Sequence, residues 1–455
     1  MYFSKNIGHR DDWYSDAVFG QQQFTGTNPT TIALAPSRWI EDFGKAARFQ
    51  GRGDIVKLFN SEPENLFIQD HSDFRSIVGL LPSAEISSDG RYGCSSITLF
   101  HLNSQGKLHP LAIVLDYKGS MEKSVVSDWF RHELVVHLVY THLVEEVLIV
   151  AARRTLPSSH IVLKLLEPHW KTTLSLNEAA RSTLVPKIIN GMTGFKDAET
   201  YAFIKDAYQR FDWVGSYVPN DLRRRGFPVE KLNDVKYHNY GYARNIARMW
   251  KILREFVGTV LTKTYTGSDA QVAADLSIAS FCNQVRSIDG GQLSNFPSIR
   301  TLDELIDFVT MCIHIASPQH TAVNYLQQYY QTFVPNKPSA LFRPLPQSLA
   351  ELEGYGEKDI LDALPSHRSR DWLLMAQVPY LLSMEVAEDS TILHYASTTI
   401  NSSSTPRVIR EAAEAFKNDL QVFAQTVLQY SEELDDQQTP YLVLDPYRIA
   451  ISILI

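Results

Sequence analysis

Residues 128–148 read DWFRHELVVHLVYTHLVEEVL, and their interpretation decides the fold. The stretch is dominated by Leu, Val and aromatic side chains, yet it carries His132, His137 and His142 at five-residue spacing, with Glu133, Glu145 and Glu146 among them. Charges at these positions are costly in a bilayer, so the stretch is expected to be a helix buried inside the protein. A buried imidazole costs free energy unless its nitrogens find partners, and a metal ion is a partner that several histidines can share. His132-Glu133 opens like the zinc motif HExxH, whose histidines share a helix face at i and i+4. Here one more residue intervenes, and HExxxH fails that reading on spacing. Five residues of regular α-helix turn about 500° and leave two side chains about 140° apart. His137 and His142 can therefore share a metal only across a local π-turn, which is predicted between Leu138 and Thr141.

Two more segments bear on that site. Ser317 to Asn324 reads SPQHTAVN, which puts His320 and Asn324 at i and i+4, about 40° apart on a helix and able to serve one metal without distortion. The chain finishes on Ile449-Ala450-Ile451-Ser452-Ile453-Leu454-Ile455, an apolar tail without the polar residues typical of a frayed terminus. If the tail packs inside, its carboxylate is buried and needs a cation, which the histidine site could provide. The other reading is an apolar strand whose carboxylate reaches the surface.

Composition bounds the rest. With 455 residues, 43 basic and 51 acidic side chains and a net charge of −8, the chain has no general electrostatic attraction for nucleic acid. Cys94, Cys282 and Cys312 form no close pair, which argues against a disulfide framework and a cysteine zinc site and suggests a reducing, cytoplasmic setting. Neither a signal peptide nor a transmembrane segment is expected. No repeat, low-complexity run or long linker divides the chain, so one domain over 1–455 is the simplest organisation. The class is mainly α. Helices are predicted over Val125–Thr155, Leu174–Ile189, Thr200–Arg210, Arg244–Thr262, Leu302–Tyr330 and Arg407–Leu434, with Pro186 and Pro318 expected to end or kink two of them. A small antiparallel β-hairpin is predicted over residues 92–117, with strands Tyr92–Leu102 and Leu108–Tyr117 around the turn Asn103-Ser104-Gln105-Gly106.

Taken together, the motifs resemble the lipoxygenase family. The resemblance runs through Asp12-Trp13, FGQQQFTGTNP at 19–29, His132 to His142, His160 through Pro168-His169, NEAAR at 177–181, Ser317 to Gln327, and Pro440 to Ile455. It implies a large helical catalytic domain whose metal is held by His137, His142, His320, Asn324 and the carboxylate of Ile455. His132, His160 and His169 match signature histidines that do not ligate. Gln327 matches a residue linking the metal site to the substrate pocket, and Leu138, Leu176, Ala180 and Leu184 match positions lining the substrate and oxygen pocket. The donor set suits non-haem iron, with manganese the alternative.

The implied reaction removes a hydrogen atom from the doubly allylic CH2 of a polyunsaturated fatty acid such as linoleic or linolenic acid and adds O2 on the opposite face. The product is a conjugated hydroperoxide. Ala180 stands where Ala accompanies S products and Gly R products; on linoleate, 13S and 9R correspond to oxygen arriving on one common face. A hydroperoxide isomerase or lyase using the same metal, and a non-catalytic lipid-binding protein, are the alternatives. Arg153, Arg154 and Arg181 are candidates to meet a fatty-acid carboxylate, although surface pairing is the expected role of each. Because the first motif begins at Asp12, the N-terminal PLAT β-sandwich is expected to be absent. A compact bacterial or cyanobacterial type is expected, monomeric, with weak membrane association or excision from a larger fusion protein as further expectations. Ile161 replaces a frequent Pro and Leu326 a frequent Gly, and the second bears on pocket width and on the placing of Gln327.

Overall fold

The computed structural model describes residues 5–119 and 128–455. Its axis is the helix foreseen around the histidines, described from α-helical Asp128–Arg131, running as π-helix over His132–Leu143 and returning to α-helix over Val144–Thr155. Positions 125–127 of the predicted helix lie outside the described residues. The expected π-turn is present and extends over 12 residues. By length and composition Trp129–Thr155 could cross a membrane, yet 72% of its most apolar window is buried inside the protein.

Two more π-helical stretches occur where proline interrupts a helix. Thr173–Ala179 continues as a π-helix over Ala180–Ile189 with Pro186 inside it, and Leu302–His314 continues through π-helical Ile315–Gln319, containing Pro318, into His320–Asn324. Proline lacks an N–H and its ring displaces the carbonyl four residues back, both of which the wider turn accommodates. Neither proline ends its helix. The break in the second run falls later, at Tyr325 and Leu326, before the short turn Gln327–Tyr330. The remaining predicted helices appear as Asp197–Arg210, Gly241–Thr264 and Arg407–Glu432, the last two packing along each other.

The β element is larger than a hairpin. Strands β1 (Ala33–Leu34), β2 (Leu66–Asp70), β3 (Ile86–Ser88), β4 (Arg91–Gly93), β5 (Ile97–Leu102) and β6 (Leu108–Val114) form two antiparallel sheets, one ordered β1-β2-β5-β6 and one pairing β3 with β4. The predicted hairpin is thus β5–β6, but its first strand starts at Ile97, because Tyr92 pairs with Ser87 and bridges to Leu341 instead. Where Phe100 faces Pro110 the register slips; this bulge on the edge strand β6 tolerates the missing N–H. One face of the larger sheet, with Leu66, Ile68, Ile97 and Leu99, packs on Trp39 and Phe43 of helix Ser37–Phe49 and Phe59 of helix Gly53–Ser61. The other face, with Phe67, Phe100, Leu102 and Leu108, joins the main helical core.

The 19–29 motif explains how sheet and helices lock together. Gly20 lies on helix Asp16–Thr25 where an added Cβ would stand 1.8 Å from the Leu108 carbonyl oxygen of β6, so only glycine permits the approach. Buried Gln22 exchanges hydrogen bonds of 3.1 and 3.0 Å with Asn336, and Gln21 donates to the Asn239 carbonyl at 3.1 Å. Buried amides of this kind hold a fold only when paired, as these are.

Candidate metal centre

The π-helix turns His137 and His142 onto one face, and His320 approaches from the second helix. His137 Nε2 lies 3.3 Å from His320 Nε2 and 3.3 Å from His142 Nε2. The ligand atoms of the three buried residues all fall within 4.8 Å of one another, the spacing expected of donors around one ion. Burial, and next the His137 charge, push His142 down to about 3, against the opposing hydrogen bond to Asn177. Burial and the neighbouring imidazoles of His142 and His137 hold His320 well below the usual histidine range, while the Ile455 main chain acts in the opposite sense. Both shifts favour the neutral ring, the form that offers a lone pair.

The other predicted ligands lie close by in different states. Asn324 is fully buried one turn beyond His320; its amide NH2 donates to the Leu382 carbonyl at 2.6 Å, and its Oδ1 accepts from Gln327 Nε2 at 2.7 Å. Oδ1 is thus held by Gln327 and keeps a second lone pair. Gln327 is itself buried, and its Oε1 has no partner. Ile455 is half-buried and brings its main chain to the His320 ring, while the tail before it, Ile449 to Ile453, is buried throughout.

The histidines expected not to ligate each fix a neighbouring segment. His132 Nε2 donates to the Val323 carbonyl at 2.8 Å, pinning the turn between His320 and Asn324 to the central helix. His169 Nδ1 donates to the Ile451 carbonyl at 2.8 Å. His160 accepts from the Val162 N–H as the N-cap of helix Ile161–Leu166 and meets Asp275 at 3.1 Å. The tail has further anchors that sequence reading missed. Ser317 Oγ donates to the Ala450 carbonyl at 2.5 Å, the Ala450 N–H donates to Thr321 Oγ1 at 3.1 Å, and Thr172 donates to the Ile453 carbonyl at 2.8 Å. Two of these flank His320 in sequence, and hydroxyls so near a ligand candidate were the available signal. Glu133 was passed over with the zinc motif, yet its carboxylate lies 3.4 Å from His137 Nδ1.

Of the predicted pocket residues, Leu138 and Ala180 belong to one apolar cluster with Val135, Val334 and Phe342, and partly buried Leu184 packs against it. Leu176 is half-buried and stands outside that cluster. Arg153 pairs with Glu167, and Arg181 with Glu146 and Glu178, as surface pairing anticipated.

A helical core that brings three buried imidazoles together defines a candidate metal-binding protein, and comparison with known proteins says of which class. The lipoxygenase family profile matches residues 120–448. The chain belongs to the lipoxygenase family and is an oxidoreductase of the dioxygenase class. It is 50% identical over 492 aligned residues to a manganese lipoxygenase of Pleurotus sapidus, covering 100% of this chain and 76% of that one. It superposes on a fungal lipoxygenase crystal structure from Fusarium graminearum with a TM-score of 0.92 and 39% identity, over 99% of this chain and 81% of that one. A hydroperoxide isomerase of Mus musculus is 27% identical over 97% of this chain, which spans only 62% of that protein. These relatives are fungal and mammalian, and the expected bacterial type finds no support in them. The donor set fits the expected metals, iron with manganese as alternative, and the fungal relative's name carries the alternative, manganese.

Proposed function

We propose that this chain is a metal-dependent fatty-acid dioxygenase whose metal is bound by His137, His142, His320, Asn324 and the Ile455 carboxylate. The observation that carries the reading is the convergence of three buried Nε2 atoms. At His137 the Nδ1 faces the Glu133 carboxylate, and at His142 it faces Asn177 Oδ1 at 2.9 Å, so each ring keeps its proton on that side. Their Nε2 atoms then carry lone pairs, and two lone pairs 3.3 Å apart repel unless a cation lies between them. Imidazole nitrogens with an amide oxygen and one carboxylate suit iron or manganese. When bound, the metal supplies the one-electron chemistry that opens the doubly allylic position to O2.

The chain's own residues do the rest. Glu133 and Asn177 hold protons on the outer ring nitrogens, and Gln327 holds Asn324 Oδ1 in place, the kind of contact that orients a ligand. Leu138, Ala180 and Leu184 form an apolar wall that would seat the pentadiene, fix one methylene near the site and exclude water. Linoleic and linolenic acids are the proposed substrates, and 13S or 9R hydroperoxide the proposed product from linoleate, with the Ala180 methyl shielding the nearer end of the radical. With linoleate in aerated buffer, conjugated diene should grow in step with oxygen loss, and chiral analysis of the product should return one of those two isomers. Metal-containing protein that forms no diene and consumes no oxygen would overturn the proposal.

A further inference from the structure

The NEAAR motif at 177–181 contributes two polar side chains, Asn177 and Arg181, of which the reading above uses only the Asn177 contact to the His142 ring and leaves open what orients that amide. Asn177 is fully buried and touches His142 twice, accepting from ring Nδ1 through Oδ1 at 2.9 Å and donating through Nδ2 to the His142 carbonyl at 2.8 Å. The same Nδ2 donates to Glu146 Oε2 at 2.8 Å, and that oxygen also accepts from Arg181 at 2.6 Å. These contacts allow one orientation of the amide. Turned over, it would aim its oxygen at a carbonyl and a carboxylate, three acceptors with no proton among them. With the NH2 group fixed in this way, Oδ1 must face the ring, and His142 must donate from Nδ1.

We propose that Asn177, oriented by the Glu146–Arg181 ion pair, is a positioning residue that sets the tautomer and rotation of His142 and so selects Nε2 as the nitrogen offered to the metal. The inference rests on the metal-centre reading for its consequence and on the hydrogen-bond geometry around Asn177 for its cause. Two contacts from one side chain fix both the ring and the main chain of the ligand. Second contacts of this kind commonly govern metal affinity by about 10–100-fold. Arg181 is half-exposed whereas Asn177 and His142 are buried, so the chain also runs from the surface to the metal ligand.

The test uses the full chain labelled with 15N only at histidine, first metal-free and then loaded with manganese or iron. In the wild type the His142 resonances should report a neutral ring protonated at Nδ1. Asn177→Leu should lose that fixed tautomer and bind metal about 10–100-fold more weakly in competition with a chelator, with KM for linoleate little changed and kcat reduced in line with metal occupancy. Glu146→Gln removes the charge that orients the amide and is the second variant should Asn177→Leu fail to fold; it should leave His142 exchanging between tautomers. A wild-type ring protonated at Nε2, or unchanged tautomer and metal affinity in Asn177→Leu or Glu146→Gln, would overturn the inference. Wild-type protein that binds no metal while showing the Nδ1 tautomer would instead overturn the metal-centre reading.

Discussion

At the scale of single residues, the interior of this protein is polar where it must orient something. Glu145 departs from this: fully buried, it accepts from the Trp170 indole through Oε1, and its Oε2 has no partner among the described residues. Burial pushes its carboxyl up to about 8 from an ordinary 4.5, the indole hydrogen bond opposing only part of the shift. The folded state therefore keeps a proton that the unfolded chain releases, and stability falls as pH rises from about 4.5 to 8. Glu145→Gln retains an acceptor for Trp170 and removes the titration. Its melting temperature should exceed that of the wild type at pH 7.5 and approach it as pH falls below about 4.5, and parallel curves would refute the assignment. His137, His142 and His320, which the structure brings together, were legible because histidines in apolar helices need partners, whereas Asn324 was singled out only through its spacing from His320 and the family resemblance. Asn177 was legible only as a motif letter, since nothing in one sequence says which ring a buried amide touches.

At the scale of elements, the C-terminal tail is a segment without regular structure, held by hydroxyls and a histidine from other elements. Ser317 and Ala450 are both fully buried, so Ser317→Ala leaves the Ala450 carbonyl without this partner. The expected cost is about 1–3 kcal/mol. It should appear as a lower melting temperature together with faster metal loss to a chelator, because the same strand of chain ends at Ile455; a variant unchanged in both would separate the tail from the site. The π-helix was legible because five-residue spacing contradicts an α-helical shared ligand set, although its 12-residue extent was not. The sheet was legible only in part. A strand buried on both faces, such as β2 with its Leu-Phe-Ile core, shows no alternation, and the two residues of β1 are too few to carry a pattern. Tyr92 has the side chain of a strand residue, but propensity does not name the partner strand, and its pairing with Ser87 is a tertiary choice. Helix Ser37–Phe49, in contrast, buries Trp39, Phe43 and Ala47 at intervals of four, a signal open to sequence reading.

At the scale of the whole molecule, helices distant in sequence converge on one small volume. The central helix supplies His137 and His142 and the run after Leu302 supplies His320, with Asn324 and Ile455 the further ligands proposed, while His132 and His169 fasten the second run and the C-terminal tail to the rest of the core. Family membership and this convergence support one central claim, that the chain folds around a metal. Elemental analysis of purified protein tests it most directly, comparing the chain ending at Ile455 with His320→Ala and with a chain extended beyond Ile455. The account predicts about one manganese or iron per wild-type chain and loss of that metal in both variants, whose helical content should persist. Wild-type protein that takes up neither metal, or a His320→Ala variant that retains it in full, would contradict the account.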